Sequence, residues 1–235
     1  MSVFTPEHKP LDQLFSAGST YRIPSYQRPY SWESLGKSDR DSQVNQMWND
    51  LWVFFSENQE NSTEYFLGSM VIIADPKKSR TFEVIDGQQR LTTLQLLLDS
   101  LQAELEAVGA TQSAEKLDLL VTNARPYWDR PEDRYKVWPT NRDQPAFSAV
   151  MAAPAPVKHG DLGHSSSRIV QAHEYFTSQA REWLAAEPGA EMGRAVAIER
   201  AVRDLLQLVV IDLTAEENAQ EIFETLNARG AQLTA

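Results

Sequence analysis

The stretch VIDGQQRLTTLQLL, residues 84–97, changes its periodicity at a glycine. Before Gly87, residues 81–86 are β-branched, aromatic or apolar at most positions, which predicts a strand. After it, Leu91, Leu94, Leu98, Leu101, Leu105 and Val108 recur at spacings of three and four until Gly109, which predicts a helix of several turns. Strand, tight turn, helix is therefore the local order, and the polar residues Asp86, Gln88, Gln89 and Arg90 sit at the junction.

Working outward, residues 65–74 are apolar on both alternating faces and predict a buried strand, joined to 81–86 as a hairpin through Asp75-Pro76-Lys77-Lys78. Residues 20–24 read as a short strand ending at Pro24, followed by a loop over 25–32. Val44, Met47, Trp48, Leu51, Trp52 and Phe55 mark one face of a helix over 43–55, with the indoles in the core. Further helices are expected at 112–121, 168–186 and 191–206, and a strand at 207–213. Thr214-Ala-Glu-Glu217 fits a capping box opening a helix that Gly230 stops. The Pro-, Gly-, Ser- and His-rich stretch 152–167 is expected to be a mobile loop. The sum is an α+β fold with a small mixed sheet packed with helices: a core from 1–109 and 207–235, and a mainly helical insertion over 110–206.

Composition removes several function classes. The chain has 235 residues, 22 Lys+Arg against 33 Asp+Glu, a net charge of −11 and no cysteine, with 42% hydrophobic residues. It can fill a core, but disulfide and cysteine–zinc scaffolds are impossible. No apolar run is long enough to span a bilayer and the first 15 residues lack the order of a signal peptide, so the expected location is the cytoplasm. An overall acidic field repels polyanions, so a phosphate backbone could be held only at a local basic patch. No third of the chain is basic overall. The nearest approach is 125–142, where Arg125, Arg130, Arg134, Lys136 and Arg142 interleave with aromatics, a pattern equally expected of a proline-broken connector packed on the core.

Three polar clusters are candidate sites. At 86–90, the free amides of a first helical turn attract an anion, Gly87 permits close backbone approach, and Arg90 can grip phosphate at two points. Asp86 could hold magnesium, and Gln88 or Gln89 could orient a water or read a base edge. The plainer alternative is a glycine turn beside a surface arginine. In the second cluster, 23–32, Gln27 and Arg28 lie between the rings of Tyr26, Tyr30 and Trp32, which could stack on a base or merely cover a sheet edge. The third places Asn227 and Arg229 at a helix C-terminus, where ordinary capping is the competing explanation. There is no G-x-x-x-x-G-K-[ST] phosphate loop, no dinucleotide fingerprint, no G-x-S-x-G elbow and no H-N-H nuclease arrangement, and the four histidines lack metal-ligand spacing.

In order along the chain, IPSYQRPYSW at 23–32, YFLGSMVI at 65–72, VIDGQQRLTTLQLL at 84–97 and IFETLNARGAQLT at 222–234 resemble the ParB-like, GmrS-type domain of modification-dependent restriction and phage-defence proteins. The stretch 110–206 carries no motif of that set. The resemblance implies NTP hydrolysis, with GTP or ATP as substrate, at Asp86, Gly87, Gln88, Gln89 and Arg90 with magnesium. It adds Thr92, Thr93, Asn227 and Arg229 as nucleotide contacts and Tyr26, Gln27, Arg28, Tyr30 and Trp32 as DNA or base contacts. It further implies an HNH-type nuclease domain beyond Ala235, regulated by recognition of modified DNA. Within the family the chain looks most like single-polypeptide proteins that read phosphorothioate marks. A non-hydrolytic binding module, a subunit reading glucosylated hydroxymethylcytosine, and an acidic scaffold docking the nuclease are the alternatives.

Overall fold

The computed structural model describes residues 6–34, 42–57 and 63–213. The capping box at 214–217, the helix after it, and Asn227 and Arg229 lie outside the described residues. Among the described residues six strands form one mixed sheet: β1 (Glu7–Pro10), β2 (Thr20–Arg22), β3 (Tyr65–Ala74), β4 (Thr81–Asp86), β5 (Val137–Trp138) and β6 (Leu206–Leu213), in the order β1-β6-β3-β4-β2-β5. The predicted β3–β4 hairpin is antiparallel, with Ile72 opposite Val84. β6 runs parallel to β3, β2 parallel to β4, and β5 parallel to β2. The α+β reading with a mixed sheet therefore holds.

Alternation along the strands divides the apolar residues between two faces. Met70, Ile72, Val84, Leu208 and Val210 enter one large core with the helices, while Val71, Ile85 and Leu213 form a small second cluster. β3 is not buried along its length, as its alternation suggested: Met70, Val71 and Ile72 are buried, but Phe66 is 49% exposed.

Among the described residues seven helices accompany this sheet, several of them packed on one another: α1 (Leu11–Leu14), α2 (Gln43–Glu57), α3 (Gln88–Ala107), α4 (Thr111–Val121), α5 (Gln144–Met151), α6 (Arg168–Ala185) and α7 (Glu191–Arg200), the last running through a π-turn, Ala201–Leu205, into β6. α3 is the axis of the core. Its sequence stripe understates it, because Leu96 and Leu97 are buried as fully as Leu94 and Leu98. A helix apolar on all sides is an interior helix. Most of its buried polar groups are matched: Gln95 Nε2 donates to Leu120 O at 3.1 Å, although Gln95 Oε1 has no partner among the described residues, and the Glu104 carboxylate takes Arg181 Nε and Nη2 at 3.0 and 2.7 Å.

Segment 110–206 holds two elements that periodicity did not show, β5 and α5. β5 is only two residues long and α5 only eight, too short for a repeat to register. Tyr135 and Trp138 stack on one another and meet Phe147 of α5 edge-on, so these aromatics of the basic stretch serve packing. Just before them Asp133, fully buried, ties the sheet edge together. It accepts from Arg22 Nη2 at 2.8 Å, Lys78 Nζ at 2.7 Å, and the amides of Asp129 and Arg130 at 3.0 Å each. Burial opposes its ionisation, but these donors outweigh it and hold the carboxyl down to about 2.

The stretch expected to be mobile, 152–167, contains a short turn, His159–Asp161, anchored through a buried relay. Asp99 can only accept, so His173 donates from Nε2 (3.0 Å) and its Nδ1 accepts from His159 Nε2 (2.8 Å).

Two outcomes are expected. Asp133→Ala leaves two cations facing an empty buried site and should cost roughly 3–5 kcal/mol in urea unfolding. Burial, and then the neighbouring charges of His173 and Arg181, lower His159 from 6.5 to about 4. The unfolded chain binds the extra proton between those values, so stability should fall as pH drops from about 6.5 to about 4. Unfolding across that pH range should show a flatter profile for His159→Gln.

Candidate phosphate-binding cleft

Gly87 makes the turn from β4 into α3 with φ of +91°, and a Cβ there would stand 2.9 Å from Met70 Cβ on β3. Both conformation and space therefore require glycine. No side chain caps the first turn of α3. Its leading residues help line a cleft of about 490 Å³ formed by Tyr26, Gln27, Arg28, Trp32, Asp86, Gly87, Gln88, Gln89 and Arg90. The clusters at 23–32 and 86–90, some sixty residues apart in sequence, thus share one concavity.

Buried carboxamides join them. Gln27 Nε2 donates to Ile85 O at 2.8 Å, and Gln88 Nε2 donates to Gln27 Oε1 at 2.9 Å. Gln89 is engaged at both ends: Nε2 donates to Pro29 O at 3.1 Å and Oε1 accepts from Ser31 N at 2.8 Å. Gln89 therefore shapes the loop and has no free end for a water or a base. Among the described residues no donor reaches Gln88 Oε1, so that atom is the amide acceptor left to the cleft.

Arg90 lies against the backbone of β3. Its Nη1 donates to Ser69 O at 2.8 Å, and its guanidinium covers Gly68, where a Cβ would be 2.8 Å from Cζ. Gly68 has φ of +115° at an irregularity in the pairing of β3 with β6. Burial lowers the Arg90 pKa and the Asp86 charge opposes that, yet a guanidinium stays cationic throughout the useful pH range. Asp86 itself makes no hydrogen bond or ion pair with the described residues, so its carboxylate is available.

Three predicted contacts lie elsewhere. Tyr30 is buried, its hydroxyl 2.7 Å from Thr93 Oγ1, and burial raises its pKa strongly. Thr93 also donates to Gln89 O, and Thr92 is 2% exposed. Tyr30, Thr92 and Thr93 support the cleft from behind and do not line it, because their hydroxyls or methyls satisfy the interior. Tyr26, by contrast, is 72% exposed, with its hydroxyl 3.1 Å from Glu83 Oε1. Burial and then the Glu83 charge push its phenol up to about 12, so it stays a neutral donor. Gly68 and Ser31 were missed as site-builders; a glycine inside an otherwise apolar strand was the available signal.

Fold and cleft together define an α+β domain with a polar pocket at a strand-to-helix junction. The family model described as the GmrSD restriction endonuclease, N-terminal domain, matches residues 11–235, and the chain belongs to that family. No curated protein matches it. Among the described residues no helix is long and apolar enough to cross a membrane, and no group of three or more His, Cys, Asp or Glu is placed to hold a metal.

Gly68→Ala should destabilise the protein by more than about 1 kcal/mol in urea unfolding, since it combines a positive φ with a clash. It should also displace Arg90, read as weaker binding of an anion probe such as pyrophosphate.

Proposed function

We propose that this chain is the nucleotide-hydrolysing sensor domain of a phage-defence restriction protein, which turns over GTP or ATP and couples that to recognition of modified DNA. The observation carrying it is the convergence, in one cleft, of uncapped helix amides, the Arg90 and Arg28 cations and the unpaired Asp86 carboxylate. Polyphosphate is the ligand that needs all three. Arg90, held rigid by Gly68 and Ser69, neutralises charge on the transferred phosphoryl group. Gln88 Oε1 accepts a hydrogen bond from the attacking water and orients it toward the γ-phosphorus. The bond from that phosphorus to the bridging oxygen breaks, leaving nucleoside diphosphate and inorganic phosphate.

Magnesium fits the donor set, because it is commonly held by one or two carboxylates with phosphate oxygens and water. Asp86 would hold it, directly or through water, and the ion would supply charge neutralisation on the phosphates. The resemblance supports phosphorothioate as the mark and an HNH-type nuclease as the attached partner. In this reading Tyr26, Trp32 and Arg28 offer the partly apolar, cationic surface that a weakly hydrated sulfur favours. Tyr30 has no part in it. The engaged state of Gln89 and the single carboxylate favour a second reading, a binding module that holds nucleotide without cleaving it.

Phosphate release from GTP and ATP with magnesium, without DNA and with plain or phosphorothioate duplex, decides between them. Hydrolysis predicts turnover that rises with the modified duplex and falls at least about a hundredfold in Arg90→Ala, the scale for losing one preorganised charge donor. Nucleotide binding with no phosphate release under any condition would establish the binding module.

A further inference from the structure

The 140–143 turn precedes α5 in the segment that carries no family motif, yet the fold brings it against the 23–32 loop. Asp143 Oδ2 accepts from Tyr30 N at 2.9 Å and from Thr140 Oγ1 at 2.8 Å, which staples the two together. Between them is a second hollow of about 390 Å³, lined by Ser25, Tyr26, Gln27, Pro29, Thr140, Asn141 and Arg142. It shares Tyr26 and Gln27 with the first cleft, so these side chains form a common wall. Arg142 and Arg28 are exposed and have no ion pair or hydrogen bond with the described residues. In a chain of net charge −11, with most of its buried or half-buried cations paired, two free arginines on either side of an exposed tyrosine are a local reversal of charge. Glu83, which holds the Tyr26 hydroxyl, lines a different hollow and leaves this one without a carboxylate on its wall.

We propose that this second hollow binds a phosphodiester of a nucleic-acid strand, with Arg142 as the phosphate contact, Asn141 as a neighbouring donor and Tyr26 as the platform on which a base stacks. A single arginine beside an aromatic face, without a metal-binding carboxylate, suits one phosphate with an adjoining base better than a nucleoside triphosphate. The strand then leads from Arg142 across Tyr26 toward Arg28 at the rim of the first cleft. The wall residue Gln27, bonded to Gln88, separates strand from nucleotide by one side chain. The inference takes DNA as partner from the function proposed above, and it does not need hydrolysis.

The test uses the full chain, a fluorescein-labelled duplex and the corresponding single strand, with no nucleotide present and salt varied. Arg142→Glu should bind several-fold more weakly, with a salt slope shallower by about 0.9 for duplex or about 0.7 for single strand per lost phosphate contact. Arg142→Lys should recover most of the affinity. Tyr26→Ala should lose about tenfold and Tyr26→Phe little, because stacking needs the ring alone. A fluorescent nucleotide is titrated in parallel. DNA affinity unchanged in Arg142→Glu, or absent in the unsubstituted chain, overturns the proposal. Equal loss of DNA and nucleotide binding assigns Arg142 to the nucleotide cleft and overturns it as well. Absence of phosphate release with the Arg142 effects intact would remove the hydrolytic function and leave this site standing.

Discussion

Two carboxamides buried at the first turn of α3 must find hydrogen-bond partners, and they find them on the 23–32 loop. A buried amide left unpaired costs about as much as several good packing contacts return. Gln88 therefore holds Gln27, and Gln89 holds the backbone at Pro29 and Ser31. The loop in turn cannot leave the helix start without breaking these three hydrogen bonds. The position of Tyr26, Arg28 and Trp32 around the cleft depends on that arrangement, and so does the path of the chain toward the 140–143 turn.

Glycines fix the opposite side of the cleft. Gly87 lets β4 turn directly into the helix, so no residue is interposed between the strand end and the free amides. Gly68 lets the guanidinium of Arg90 lie flat on β3, where Ser69 O takes one of its protons. The cation is thereby held before any ligand arrives, and a preorganised charge is worth more to an incoming phosphate than a mobile one. Asp133 plays the equivalent part at the far edge, where its four donors keep β2 beside β4 and so keep the loop that follows β2 over the cleft.

The strand, glycine and helix of 81–107 were legible because each is long enough for its period to show, and the hairpin because Asp75-Pro76 interrupts two apolar runs. The helices of 43–57, 111–121 and 168–185 were legible for the same reason. Short elements were not: β1, β5 and α5 are held by neighbours rather than by their own pattern. The roles of individual polar residues were the least legible. Tyr26 and Tyr30 are four positions apart in one motif, yet one faces solvent and the other is interior, because only Tyr30 meets Thr93.

The sequence by itself determined the α+β class, the junction at Gly87, the acidic balance and the residue types available for a phosphate site, since these follow from local periodicity, backbone sterics and composition. The tertiary structure alone decided which polar groups remain free. Hydrogen-bond satisfaction is a property of pairs far apart in the chain: it engages Gln89 and buries Tyr30 while leaving Arg90, Asp86 and Gln88 Oε1 on the cleft. It also joined Arg142, from a stretch without a motif, to Tyr26 through Asp143, a proximity that no local pattern encodes.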